Sequence, residues 1–166
     1  RFEVTPIQMI SMVSTIANNG KRMQPYLLKA VFESNDEPLN TVIHETESKV
    51  LNKVKTESKY LNRVKEGLKQ VLAIGGTGYS YIEQKYKPAG KTGTAESFLD
   101  TNGDGVIDTP TTTATFSAYA PYDNPSVVFT VISPDVGLGD TPYNDMSHIN
   151  TRISQKVSKK YFEIYK

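Results

Sequence analysis

Residues 87–109 read KPAGKTGTAESFLDTNGDGVIDT, and the fold turns on where this stretch bends. Pro88-Ala89-Gly90 is turn chemistry, and the residues that follow suit an extended strand over about 89–98. Asn102-Gly103 and Asp104-Gly105 are favoured at tight hairpin turns, so a second strand is expected just beyond, at 111–121. PYDNP (121–125) is again a strong turn, placing a third strand at 126–135, antiparallel to the second. Three consecutive strands joined by short turns predict an antiparallel meander.

Outward from this sheet, the pattern is helical. TPIQMISMVSTIANNG (5–20) opens with Thr5 as cap, Pro6 at the first helical position and Gln8 completing a capping box. Ile7, Ile10, Val13 and Ala17 form one apolar stripe, widened by Met9, Met12 and Ile16, and Asn19-Gly20 provides a left-handed stop. So apolar a helix is expected to be buried on most sides. Residues 25–33 and 40–47 read as two strands joined by SNDEPLN (34–40). A second helix over about 57–74 puts Leu61, Val64, Leu68, Val71 and Leu72 on one face and stops at Gly75-Gly76, before the loop GGTGYS. The last segment, about 147–165, aligns Ile149, Ile153, Val157, Tyr161 and Ile164. The fold class is therefore α+β: an antiparallel sheet flanked by helices.

Composition narrows the partners. The 166 residues carry 19 basic and 18 acidic side chains, a formal charge of +1. No basic stripe or RNA-type aromatic motif occurs, so nucleic acid is not an expected partner. Cysteine is absent, and His44 and His148 lie far apart, which leaves zinc without its usual ligands. No apolar run is long enough to span a bilayer and no signal peptide is visible. The chain starts RFEVTP without Met, so it is expected to be a piece of a longer protein. The neighbourhood of His148, after Ser147, suits a helix start and no catalytic role.

Two motifs in the opening stretch carry chemistry. Lys91-Thr92-Gly93 is a K-T-G tripeptide on a strand. Lys91 would set a positive potential for a substrate carboxylate or an anionic intermediate, and the Thr92 and Thr94 hydroxyls are donors for that carboxylate. Gly93 would let a substrate backbone lie close, and a backbone N–H near Thr94 would suit an oxyanion hole. Taken alone, three letters describe a surface strand equally well. Tyr79 and Tyr81 are candidates to line a cleft, and Glu96 to pair with a nearby base. In the second motif, Asp100, Asn102, Asp104 and Asp108 occupy positions 1, 3, 5 and 9 of a calcium loop with Gly105 at position 6. Position 12 is Thr111 where a bidentate Glu is usual, and the flanks are strands, so a plain hairpin connection competes with a structural calcium site.

VTPIQMISMVSTIANNGKRMQPYLLK (4–29), then VLNKVK and LNRVKEGLKQVLAIGGTG, then YKPAGKTGTAE (86–96), stand in an order that resembles the class B penicillin-binding proteins. The resemblance runs from Val4 to about Pro134. It implies a partial penicillin-binding-protein or serine β-lactamase-like transpeptidase fold. It implies a membrane-anchored parent at the extracytoplasmic face of a bacterial membrane, cross-linking peptidoglycan stem peptides and binding β-lactams without a required cofactor. By the resemblance, Thr92 and Thr94 bind the carboxylate, Lys91 serves the proton and charge balance, and Thr94 N–H shares the oxyanion hole. The family also uses S-x-x-K and S-x-N motifs, and neither occurs here. Thr46-Glu-Ser-Lys49 and Thr56-Glu-Ser-Lys59 lack the serine, and Tyr60-Leu-Asn62 falls in a helix on the wrong side of the TPIQ helix. The expectation is a C-terminal portion of a transpeptidase domain, inactive alone, with apolar surface that favours dimerisation. A non-catalytic, calcium-stabilised cell-surface module is the competing expectation.

Overall fold

The computed structural model describes residues 3–35, 41–136 and 148–165. Three strands, β5 (Ala89–Leu99), β6 (Thr109–Ala120) and β7 (Val127–Ser133), form an antiparallel sheet in the order β5-β6-β7. The expected meander is thus present. Its register sets Lys91 opposite Ser117, Thr92 opposite Phe116 and Gly93 opposite Thr115, and carries on to Thr130, Val131 and Ile132 of β7. Because side chains alternate across a strand, this register divides the sheet into two faces.

One face is covered by α1 (Pro6–Ala17), the other by α3 (His148–Ile164) and the short 3₁₀ turns Tyr79–Tyr81 and Gln84–Tyr86. The helical start of α1 is the expected one: Thr5 N–H donates to Gln8 Oε1 at 2.8 Å and Gln8 N–H returns to Thr5 Oγ1 at 3.4 Å. At its other end Asn19 and Gly20 take positive φ (53° and 84°), and Gly20 N–H closes on Thr15 O at 2.8 Å. Val13 and Ala17 pack with Ala89 and Tyr119 in one core cluster. The rest of α1 is less buried than its composition predicts, since Ile7 and Met12 are exposed.

The second cluster, on the opposite face, joins Phe116, Ala118, Phe129 and Val131 to Leu72 and Ile82. Helix α2 (Ser58–Leu72) runs against β5 and contributes to both clusters, Leu68 to the first and Leu72 to the second. Tyr81 is partly buried and lies with its ring centroid 4.4 Å from that of Phe116, packed against this core.

Between α1 and α2 the chain forms two nested two-stranded pieces. β2 (Ala30–Phe32) pairs with β3 (Val42–Glu45), as expected though shorter, while β1 (Lys21–Met23) pairs with β4 (Val50–Lys53), which periodicity did not indicate. The turn expected at 34–40 lies mostly outside the described residues.

The apolar stripe of α3 does not face the sheet. Asn150, Ser154 and Ser158 are the buried row, and Ile149, Ile153, Val157 and Ile164 are exposed. Small polar side chains let the helix approach closely, with Ser133 Oγ donating to Asn150 Oδ1 at 2.6 Å and Ser158 Oγ returning to Ser154 O at 2.7 Å. Helical spacing identifies a stripe but does not say which neighbour it meets. The side chain of His148 lies outside the description.

Candidate active-site strand

The K-T-G residues sit on β5, the edge strand of the sheet. Lys91 and Gly93 point to the α1 face and Thr92 and Thr94 to the opposite face, a separation that follows from alternation and register. The Lys91 side chain is exposed and its Nζ donates to Thr92 O at 2.6 Å. The ammonium is therefore held over the strand backbone at the edge. Gly93 has a reason to lack a side chain that the tripeptide alone did not reveal: a Cβ there would collide with Thr115 Oγ1 on β6. Gly90 is less forgiving, because its Cβ would meet the Ser117 carbonyl oxygen and Ala118 Cβ, neither of which can turn away.

A groove of about 290 Å³ opens on the α1 face. Lys91, Gly93, Thr115 and Ser117 form its floor, and Met9, Met12 and Ile16 of α1 with Leu68 of α2 form its walls. It is an apolar slot with a cation and hydroxyls at its base. On the other side of the strand, the loop after α2 brings Thr77 Oγ1 to 3.5 Å from Thr92 Oγ1. The sequence marks GGTGYS as a loop after the helix but does not show this approach. The glycine spacing after a helix was the available signal.

Beneath α1, Tyr119 is fully buried and its hydroxyl has no partner among the described residues. Burial, with Tyr122 and Glu66 adding to it, pushes its phenol well above the ordinary range. Glu66 also accepts from Tyr122 Oη at 3.4 Å, which ties α2 to the β6–β7 turn.

The loop after β5 is held by its own carboxylates. Asp100 accepts from Gly103 N–H at 2.7 Å and Gly105 N–H at 2.9 Å, and Asp104 accepts from Val106 N–H at 2.7 Å and Asn102 Nδ2 at 2.9 Å. Among the described residues, no three His, Cys, Asp or Glu side chains are grouped so as to hold a metal ion. Of the residues at calcium-loop spacing, Asp100, Asn102 and Asp104 accept from loop N–H groups, Asn102 and Asp104 also bond to each other, and the Asp108 carboxylate accepts from Thr109 Oγ1 at 3.4 Å.

These bonds have a pH consequence. The N–H groups of Gly105 and then Gly103 hold the Asp100 carboxyl below its ordinary value of 3.8, and Val106 N–H followed by the Asn102 amide does the same for Asp104. A lowered folded-state value means the loop bonds are complete above the ordinary carboxylate value and are lost only as pH falls further, through the lowered folded-state value. In glycine-labelled protein the Gly103 and Gly105 amide signals are expected to hold position from about pH 7 to pH 5 and to move only below about pH 4. Movement between pH 5 and pH 7 would contradict this assignment.

An antiparallel sheet with helices on both faces, bearing K-T-G on its edge strand beside a helix-walled groove, defines the class of protein: an α+β scaffold of the penicillin-binding-protein kind. The model of the penicillin binding protein transpeptidase domain matches residues 2–159. Penicillin-binding protein 2A of Bacillus subtilis is 38% identical over 161 residues, 96% of this chain and 22% of that protein. Peptidoglycan D,D-transpeptidase MrdA of Haemophilus influenzae is 33% identical over 147 residues, 84% of this chain and 22% of that protein. Among solved structures, penicillin-binding protein 2B of Streptococcus pneumoniae superposes with a TM-score of 0.70 at 29% identity, covering 95% of this chain and 25% of that one. The chain belongs to the transpeptidase-domain family of the class B penicillin-binding proteins. It spans about 22% of the length of the curated relatives just described.

Proposed function

We propose that these residues form the K-T-G wall of a peptidoglycan D,D-transpeptidase site, within a longer protein anchored at the outer face of the bacterial membrane. The observation that carries this reading is the placement of Lys91–Thr94 on an edge strand, with Lys91 and Gly93 in the floor of a groove whose walls are apolar. A serine nucleophile needs its base within hydrogen-bond reach, and no S-x-x-K or S-x-N occurs in the 166 residues. The serine and its lysine come from another segment of the parent protein, placed along the free edge of β5, where Lys91 on one face and Thr92 and Thr94 on the other both reach a bound substrate. Lys91 then places a cation beside the reacting carbonyl, Thr92 and Thr94 bind the terminal carboxylate of a D-Ala-D-Ala stem peptide or a β-lactam, and Thr94 N–H assists the oxyanion. The serine oxygen bonds to the penultimate D-Ala carbonyl as the last D-Ala leaves with a proton. An amine from a neighbouring stem then takes the acyl group and frees the serine. This chemistry calls for no cofactor.

Full-length protein incubated with fluorescent penicillin is expected to carry a covalent label that survives denaturation, while the 166-residue chain alone stays unlabelled. An unlabelled full-length protein would remove the reading. A labelled 166-residue chain would show that the nucleophile had been placed wrongly.

A further inference from the structure

The loop that follows α2 is built to hold one hydroxyl against the K-T-G strand. Helix α2 ends at Leu72, and the chain reverses through Gly75 at φ +84°. Gly76 N–H then bonds to Ala73 O at 2.9 Å, Gly78 N–H to Val71 O at 2.9 Å, and Tyr79 N–H to Gly76 O at 3.2 Å. A Cβ on Gly76 would collide with the Val71 and Gln70 carbonyls, so the turn closes only on a bare backbone. Gly78 is buried, and a Cβ there would overlap Leu72 Cδ2 and come within 3.3 Å of Thr92 Cγ2. The loop therefore runs close beside Thr92, with little room for a side chain at Gly78. Thr77, between these two glycines, is exposed, and its hydroxyl stands 3.5 Å from that of Thr92.

That separation is the outer limit for a hydrogen bond between the two hydroxyls. It suits two donors that converge on the oxygens of a single anion. Charge is close by, since the Lys91 ammonium lies 2.6 Å from Thr92 O. We infer that Thr77 is a further specificity-determining residue: its hydroxyl, set beside Thr92 by the glycine turn, donates to the carboxylate of the peptide or β-lactam that the edge strand binds. The inference rests on the transpeptidase reading above. It assigns to the α2–β5 loop a part in selecting substrates that end in a free carboxylate.

The test compares two probes on full-length protein: penicillin G and its methyl ester, which lacks the anionic carboxylate. Wild type, Thr77→Val and Thr77→Ser are each assayed for acylation rate, and the acid-to-ester ratio is taken within each preparation, so the active fraction cancels. Thr77→Val is expected to lower the rate with the acid about tenfold and leave the ester rate unchanged, as for one lost hydrogen bond to a charged group. Thr77→Ser is expected to return the acid rate to near that of wild type. An acid-to-ester ratio that Thr77→Val leaves unchanged overturns the inference, whatever the absolute rates, and so does a Thr77→Ser protein with the ratio of Thr77→Val. If wild type itself takes up neither probe, the transpeptidase reading fails and this inference falls with it. A labelled wild type with an unmoved ratio removes the Thr77 assignment alone.

Discussion

Full-length protein carrying Lys91→Ala is expected to acylate with penicillin about 10²- to 10³-fold more slowly than wild type, at unchanged thermal stability. The size is that of removing one preorganised electrostatic group from a site of developing negative charge. Stability should hold because the side chain is exposed and its one described bond, from Nζ to Thr92 O, lies on the sheet edge. Neither core cluster includes it. Lys91→Arg should recover only part of the rate, since a planar fork does not reproduce a compact ammonium. Stopped-flow acylation alongside a melting curve separates the two quantities. Equal rates for Lys91→Ala and wild type would remove Lys91 from the chemistry.

The largest stability effect is expected at Phe116. Its side chain is fully buried, 4.4 Å from the Tyr81 ring centroid and 6.0 Å from that of Phe129. Phe116→Ala should cost about 3–5 kcal/mol, combining lost transfer energy with a cavity that the sheet cannot fully close. The same residue stands opposite Thr92 in the β5–β6 register, so the damage reaches the edge strand. Urea titration read by surviving penicillin uptake, a signal specific to this domain in a longer protein, should show the midpoint moved well down. Val64→Ala on the exposed side of α2 is the matched control, with an expected change of about 0.5 kcal/mol or less. A Phe116→Ala midpoint equal to that of the control would mean the second core cluster does not support the site.

How much of this was legible beforehand depended on the range of the interaction concerned. The capping box Thr5/Gln8 and the stop at Asn19-Gly20 are contacts between near neighbours, and they appear as read. The meander was equally readable, because its turns are coded in consecutive residues. The short strands β1 and β4, of three and four residues, were not, since each is too short for alternation to register and exists only through a partner about thirty positions away. Gly93 suits a close-lying substrate by its letter, and the Thr115 hydroxyl across the strand pair also crowds the place a side chain would take.

The three helices, the β5–β7 meander, the α+β class and the identity of the K-T-G strand were determined by the sequence alone, because caps, turns and alternation are local and leave their marks in adjacent letters. The tertiary structure decided the rest. Register split Lys91 and Gly93 from Thr92 and Thr94 onto opposite faces, since a strand's side chains alternate but only a partner strand tells one face from the other. Close packing turned the small polar row Asn150, Ser154 and Ser158 of α3 toward the sheet in place of its isoleucines. The same kind of contact brought Thr77 to Thr92 across fifteen residues of chain, a proximity that exists only once α2 has docked beside β5.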